Sequence, residues 1–302
     1  MALEAAKFGW FRDYGPARAA FQDLVRSGTD LLGRVRDMRT SREKVLDAEI
    51  GDCAGQAARL KDMTGSFNEN GAVRRYLAQA DIQLAEAGML VGKGEYEKAR
   101  LLLEGGRRSV ASAQEAAAAV LNRYLDPRQL ARWKSWADET ILESRSRGIT
   151  SFIVGKLERK IHIYHRGALA ASFDIGLGHF GLSDKMYSGD EATPEGRYMI
   201  IKKYPAGPFY KALLIDYPNE EDRQSFARGK RAGTIPNQAG IGGYIEIHGG
   251  GKDSLTKGCV GLENKDMEAV YDAAEAGTPV TIVGTLSADH SILAEIRKFK
   301  KR

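Results

Sequence analysis

Cysteine is nearly missing from this chain. Two of its 302 residues, Cys53 and Cys259, are too few for a disulfide-built scaffold. Histidine is scarce as well, with five in all. His162 and His165 stand three apart, so on a strand they face opposite sides and cannot ligate one metal. No apolar run approaches the length needed to cross a bilayer, and no signal peptide opens the sequence. Nor is any basic run interleaved with aromatics, which removes the usual footprint of nucleic-acid binding; Arg297 to Arg302 reads as a solvated helix end. The formal charge of +5 and isoelectric point near 9.0 would suit an anionic polymer, but the excess is small.

A hydrophobic content of 43% over this length is ample for two cores. From Pro16 to about Gly148 the apolar residues recur at helical spacing. Phe21, Leu24, Gly28, Leu31, Val35 and Met38 form one stripe. Leu46, Ile50, Cys53, Ala57, Leu60, Thr64 and Phe67 resume it in a shifted phase, which predicts a kink or break near Thr40. Residues Gly65 to Gly71 read as a loop. Two further stripes, Val73 to Val91 and Tyr96 to Tyr124, flank Gly92-Lys93-Gly94, so an antiparallel hairpin packed on the first segment is expected. Asp126-Pro127 supplies an N-cap and first position for a last helix through Trp133, Trp136 and Ile141. Within this half no acid pair, metal spacing or phosphate loop stands out, and it reads as a spacer or interaction module.

At Ser151 the period changes to alternation: Phe152, Val154 and Leu157, then Ile161 and Ile163, then Leu169 to Ile175. The reading is an α+β chain, with a helical bundle over 1–148 and a mostly β domain over 149–302. A long loop from Gly176 to Gly189 carries His179 and Lys185. Strands follow at Arg197 to Lys202 and Ala212 to Asp216, then a short helix from Glu220, a strand ending at His248, a helix after Glu263, a strand at Val280 to Val283 and a basic helix from Ser287 to Lys301.

The run Ile245 to Leu262 organises the β half. Alternating apolar residues deliver His248 to a strand mouth, where Gly249 to Gly251 end the strand. Cys259 follows Gly258 and precedes another apolar run, so the chain can loop and return a thiol beside the imidazole. A neighbouring imidazole can take a thiol's proton. Gly258 lets backbone approach a substrate carbonyl, with the Cys259 amide directed at a developing oxyanion. His plus Cys alone fits a structural pair equally well, since buried cysteine is common as a small hydrophobe.

The surroundings add a resemblance. His248-Gly249, a glycine-rich loop, then Thr256-Lys257-Gly258-Cys259-Val260 resembles the active-site signature of the L,D-transpeptidase catalytic domain, the YkuD-type family. Gly189-Asp190-Glu191-Ala192-Thr193-Pro194-Glu195-Gly196-Arg197-Tyr198 is similar to a second segment of that family, and the two cover roughly 150–285 in the right order. One departure stands out: Gly261 occupies the place where most members carry an arginine.

The resemblance implies a mostly β transpeptidase fold and a cysteine acyl transfer on peptidoglycan stem peptides, with Cys259 as nucleophile, His248 as base and then acid, and amides near Gly258 for the oxyanion. Thr256, Lys257, Gly249, Gly261 and, on the long loop, His179 would face substrate; His179 fits a solvent loop as well. No metal or organic cofactor is implied. Two free cysteines are expected, because a disulfide would silence Cys259. An extracytoplasmic substrate implies the periplasm or cell envelope, and a leader or anchor removed from this sequence. Two rivals stand beside transpeptidation. Water as acceptor gives an L,D-carboxypeptidase or an amidase that cuts crosslinks; a vestigial site gives a non-catalytic envelope-binding protein that works through an envelope partner of the helical half.

Overall fold

The computed structural model describes residues 14–65, 71–253 and 256–300. Phe67, most of the loop expected over 65–71, and Lys301 and Arg302 at the end of the basic helix lie outside them. The described helices are α1 (Gly15–Thr64), α2 (Gly71–Gly92), α3 (Tyr96–Leu121), α4 (Pro127–Arg147), α5 (Glu220–Arg231), α6 (Asn264–Ala273) and α7 (Ser291–Lys300), with a 3-10 turn at Asn122–Leu125. The strands are β1 (Thr150–Gly155), β2 (Lys160–His165), β3 (Ala168–Asp174), β4 (Gly196–Gly207), β5 (Tyr210–Ile215), β6 (Glu246–His248), β7 (Val260–Gly261) and β8 (Pro279–Val283). The expected order, helices and then a mostly β domain, is borne out. The chain divides into two compact units: residues up to 60 with 76–112, and residues 61–75 with 113 onward.

The parts of α2 and α3 that belong to the first unit, 76–92 and 96–112, form the antiparallel hairpin. Gly105 and Gly106 lie so close to Gln83 and Leu84 that added Cβ atoms would approach both side chains to 2.8 Å. Arg107 pairs with Glu49 of α1 at 3.1 Å. The break expected near Thr40 is absent, and α1 runs through it as one helix of 50 residues. The sequence around Thr40, Met38-Arg39-Thr40-Ser41-Arg42, holds no Gly or Pro to interrupt it. The phase shift marks where burial of the helix begins instead. Leu46, Cys53, Ala57 and Leu60 are buried, whereas Phe21, Leu24, Leu31, Val35 and Met38 are exposed. Length explains the difference: 50 residues span about 75 Å, while the 22 residues of α2 reach about 33 Å at 1.5 Å per residue.

The second unit is built on an eight-stranded sheet in the order β3-β2-β1-β8-β4-β5-β6-β7. β1–β8 and β6–β7 run parallel and the other neighbours antiparallel. Bridges Gly176–Gly261 and Gly178–Thr256 tie the segment after β3 to β7 and the residues before it, so the sheet curls until its two edges meet. Strand β2 alternates, with Ile161 and Ile163 buried between more open neighbours. Strand β1 does not: Phe152, Ile153 and Val154 are all fully buried. An uninterrupted apolar strand needs cover on both faces, and α4 supplies the second. Thr140 meets Thr281 of β8 at 2.6 Å, Ser144 bonds Ile149 O at 2.7 Å, and the Trp133 indole lies over Gly284, where any Cβ would collide with it. The unit that holds the sheet therefore takes in α4 and the segment from 113, about 35 residues ahead of the boundary expected at Gly148.

Charge fixes the same contact. Glu195, with a side chain 1% exposed, accepts from Lys156 Nζ at 2.9 Å, from Arg123 at 2.5 and 2.7 Å and from Trp133 Nε1 at 3.0 Å. Fully buried Lys156 spends its other two protons on Ser183 O and Thr193 O. Burial pushes the Glu195 carboxyl up, but the two cations outweigh it and hold it below the ordinary carboxylate value. Arg123 also donates to Leu182 O at 3.0 Å, as does the Tyr124 hydroxyl at 2.8 Å.

Two outcomes follow from this packing. Trp133→Ala is expected to cost about 3–5 kcal/mol in denaturant unfolding, and a fragment starting at residue 149 to be insoluble or to melt well below the full chain, because it leaves Glu195 without Arg123 and the indole; equal melting would show that the helical segment adds nothing. The second outcome concerns pH. Burial raises Asp184, which takes the Glu195 amide at 2.9 Å, to about 7, with the Glu195 charge adding to the shift; burial raises Asp222 to about 6. The native state thus keeps protons that the unfolded chain releases near pH 4, so both groups make stability fall as pH rises from about 4 to about 7. Asp184→Asn should flatten that slope in urea melts taken across this window.

Candidate active site

Strands β6 and β7 set the two candidate catalytic side chains. Their parallel register pairs Ile247 with Val260 and His248 with Gly261. Ile247 and Val260 point into the core, so residues 246, 248 and 259 fall on the opposite face. Cys259 Sγ confirms this, accepting from Glu246 N at 3.4 Å and donating to Tyr244 O at 3.7 Å. Tyr244 adopts φ +56°, which turns its carbonyl to the thiol while its side chain stands 83% exposed. His248 Nδ1 lies 2.6 Å from Gly249 O. A carbonyl can only accept, so Nδ1 carries the proton and the lone pair of a neutral imidazole sits on Nε2.

The thiol is held in its protonated form. Burial raises the Cys259 pKa; the Glu246 amide lowers it, the Glu246 carboxylate raises it and Lys185 lowers it, with a net upward shift. Such a sulfur is a poor nucleophile until a base removes the proton.

The upstream motif supports this site from behind. Asp190 gathers the loop by accepting from Met186 N at 2.6 Å, Tyr187 N at 2.9 Å, Ala192 N at 3.1 Å and Lys185 Nζ at 2.7 Å. Thr193 Oγ1 takes Gly178 N at 3.0 Å. The Ala192 carbonyl then presses on Gly258, where a Cβ would lie 2.6 Å from it and where φ is +130°. Only glycine fits that close approach at that angle. Thus the segment from Asp190 to Glu195 shapes the turn that presents Cys259 without bonding to the thiol itself.

The other sequence-derived candidates distribute around this centre. Thr256 Oγ1 donates to Cys259 O at 2.8 Å and accepts from Gly258 N at 3.2 Å, closing the turn. Lys257 is exposed between them. His179 N donates to Thr256 O at 3.1 Å, which brings the long loop alongside the cysteine turn, while the His179 ring stacks edge-on against Phe180. Gly249 is buried under the β4–β5 hairpin: its N–H donates to Lys211 O, and a Cβ would stand 3.0 Å from Phe209 O. At Gly261 a Cβ would stand 3.0 Å from Gly251 O, so a side chain there would need that carbonyl to give by a few tenths of an ångström. Sequence reasoning missed Phe209, whose ring lies 4.7 Å from the His248 ring; it sits on a hairpin tip far from the signature. Cys53 is buried in the first unit, and both cysteines are free.

Alkylation separates the two thiols. Cys259 is expected to react in the native protein with a rate that still climbs above pH 8.5, the ordinary thiol value, because its pKa is raised; Cys53, whose pKa burial also raises, should label only on unfolding. Peptide mapping after iodoacetamide at several pH values reads both, and equal native labelling would contradict it.

With this geometry described, comparison with known proteins places the second half of the chain. The family model of the L,D-transpeptidase catalytic domain, YkuD, matches residues 150–282. YafK of Escherichia coli (strain K12), provisionally named an L,D-transpeptidase, is 29% identical over 122 residues, which cover 38% of this chain. The chain spans 43% of that relative's length. Among solved structures, Bd1075 of Bdellovibrio bacteriovorus aligns with TM-score 0.34 and 22% identity over 50% of this chain and 54% of its own. The catalytic domain of the E. faecium L,D-transpeptidase aligns with TM-score 0.31 and 16% identity over 45% of this chain and 97% of its own. Residues 150–282, in the C-terminal half of this chain, are therefore similar to the L,D-transpeptidase catalytic domain.

Proposed function

We propose that this domain performs cysteine acyl transfer on peptidoglycan stem peptides. One observation carries the reading: a proton-bearing thiol and an imidazole whose Nε2 lone pair is left open by the Nδ1–Gly249 bond lie on one face of adjacent strands. In the first step His248 Nε2 takes the Cys259 proton and Sγ attacks the carbonyl of the L-centre of the stem's diamino acid. The oxyanion is met by amides around Gly258 and Cys259. As the tetrahedral intermediate collapses, the C–N bond to the following D-residue breaks, His248 returns the proton to that leaving amine, and a thioester remains on Cys259. An amine of another stem then attacks the thioester and yields its proton through His248, which regenerates the thiol.

A second reading changes the acceptor alone. Gly261 removes the fixed cation that most of the family places beside the nucleophile, and no backbone group orients a substrate carboxylate as a guanidinium fork does. Water would then resolve the thioester, giving L,D-carboxypeptidase activity or amidase cleavage of crosslinks. Thr256, Lys257 and His179 are the residues proposed to line the substrate groove, while Gly249 and Gly261, both buried, would act through the backbone packed on them. Action on peptidoglycan would put the protein in the periplasm or cell envelope; among the described residues no helix is long and apolar enough to cross a membrane. The helical unit is proposed as a spacer or as a docking module for an envelope partner.

Purified muropeptides incubated with the protein and resolved by mass spectrometry distinguish the readings. Crosslinked dimers mark transpeptidation, shortened or split stems mark hydrolysis, and unchanged muropeptides would overturn both. His248→Ala is expected to slow product formation at least ~100-fold with an unchanged melt, and Cys259→Ala to abolish it; activity surviving in Cys259→Ala would remove the thioester.

A further inference from the structure

The hairpin between β4 and β5 reaches across the sheet to the base. Its tip carries Phe209 and Tyr210, and the Phe209 ring lies against the His248 imidazole with centroids 4.7 Å apart and planes tilted by 33°. The contact is part of a larger clamp. Ala212 pairs with His248 across β5 and β6, Gly249 N donates to Lys211 O at 3.0 Å, and a Cβ on Gly249 would meet Phe209 O at 3.0 Å and Tyr210 Cβ at 3.1 Å. The same test at Gly250, with φ +92°, meets Phe209 Cδ1 at 3.6 Å. Gly249 is therefore what lets the hairpin tip sit directly on the backbone that follows the histidine, while Gly250 meets it at ordinary contact distance.

The tip is itself held from outside. Tyr210 occupies the left-handed region at φ +72°, a conformation a bulky side chain adopts only when its surroundings impose it. Here α6 does so. The Tyr210 hydroxyl donates to Glu268, Lys211 Nζ pairs with Glu268 at 2.5 Å and stands 3.9 Å from Asp272, and the Lys211 ammonium lies 4.9 Å from the Tyr271 ring centroid. A chain of contacts thus runs from α6 through Tyr210 and Lys211 to Phe209 and the imidazole.

The imidazole has two torsions to fix. The Nδ1–Gly249 bond sets which nitrogen is free, but a single hydrogen bond leaves the ring able to swing about it. A ring packed on the imidazole face removes that motion, which matters because a base displaced by about 1 Å can lose on the order of 100-fold in rate. We propose that Phe209 is a positioning residue that orients His248 toward Cys259, with Tyr210, Lys211 and Glu268 as the anchor of its hairpin. The proposal rests on the acyl-transfer reading of the site for its rate consequence, and on the ring contact alone for its structural one.

The test uses the full chain and three variants: Phe209→Ala, Phe209→Leu, which keeps bulk without a ring, and Phe209→Tyr, which restores the ring. Two measurements are made on each. The first is the NMR signals of the His248 ring protons, assigned with His248→Ala, which need no turnover. A stacked phenyl ring shields them in the wild type, and Phe209→Ala and Phe209→Leu are expected to move them downfield while Phe209→Tyr does not. The second is the single-turnover rate of thioester formation with a stem tetrapeptide, expected to fall about 10- to 100-fold in Phe209→Ala, with the donor concentration for half-maximal rate within about twofold of wild type and with Phe209→Tyr near wild type. If Phe209→Ala does not fold, Phe209→Leu carries both readouts. Ring signals unmoved by loss of the phenyl, or a wild-type acylation rate in Phe209→Ala or Phe209→Leu, overturns the proposal. A wild type that forms no thioester while the ring signals still move contradicts the acyl-transfer reading and leaves the ring contact established.

Discussion

A carboxylate sealed from water ties the parts of the β half to one another. Glu195 meets a buried lysine, a bidentate arginine and an indole N–H, and each comes from a different part of the chain: Lys156 from the turn after β1, Arg123 from the 3-10 turn before α4, and Trp133 from α4. Such a cluster contributes little net stability when intact, yet removing one member strands the others and costs about 3–5 kcal/mol. Its effect is to make the helix, the strand and the loop one mechanical piece. That loop is the same stretch that carries Asp190, Thr193 and the Ala192 carbonyl, and so the same stretch that shapes the Gly258 turn.

The site consequently stands on two supports that meet at neighbouring strands. From one side the Asp190-to-Glu195 segment presses on Gly258 and presents the thiol; from the other the β4–β5 hairpin presses on Gly249 and lies against the imidazole. Burial keeps the thiol protonated, and its proton is directed at the Tyr244 carbonyl. Turning that proton to Nε2 is a step of the proposed reaction in its own right.

Much of this was legible in the sequence because the physical signals were local. The helical period, the change to alternation at Ser151, the Asp126-Pro127 cap and the His248 and Cys259 surroundings each reside within a few residues of the feature they predict. Long-range events were not legible. Nothing in the spacing around Thr40 shows that α1 continues unbroken from an exposed stretch into a buried one, because periodicity reports a face and not whether the backbone bends. Trp133 read as a bundle residue, since its partner Gly284 lies 151 positions on (284 minus 133). Lys156, directly after an apolar strand, was the clearest neglected clue: a charge at the end of a fully buried run needs a buried partner. Glu195 was visible as part of a motif but not as that partner, and Phe209 carried no signal beyond lying in a turn.

The proposed acyl transfer depends on a covalent bond to one sulfur. Intact-protein mass spectrometry of the chain, quenched with acid during incubation with a stem tetrapeptide, tests it most directly. The predicted result is a mass increase equal to the peptide minus its terminal D-residue, mapped to Cys259 and absent from Cys259→Ala. Turnover of the same peptide with no adduct on Cys259, continuing in Cys259→Ala, would contradict it.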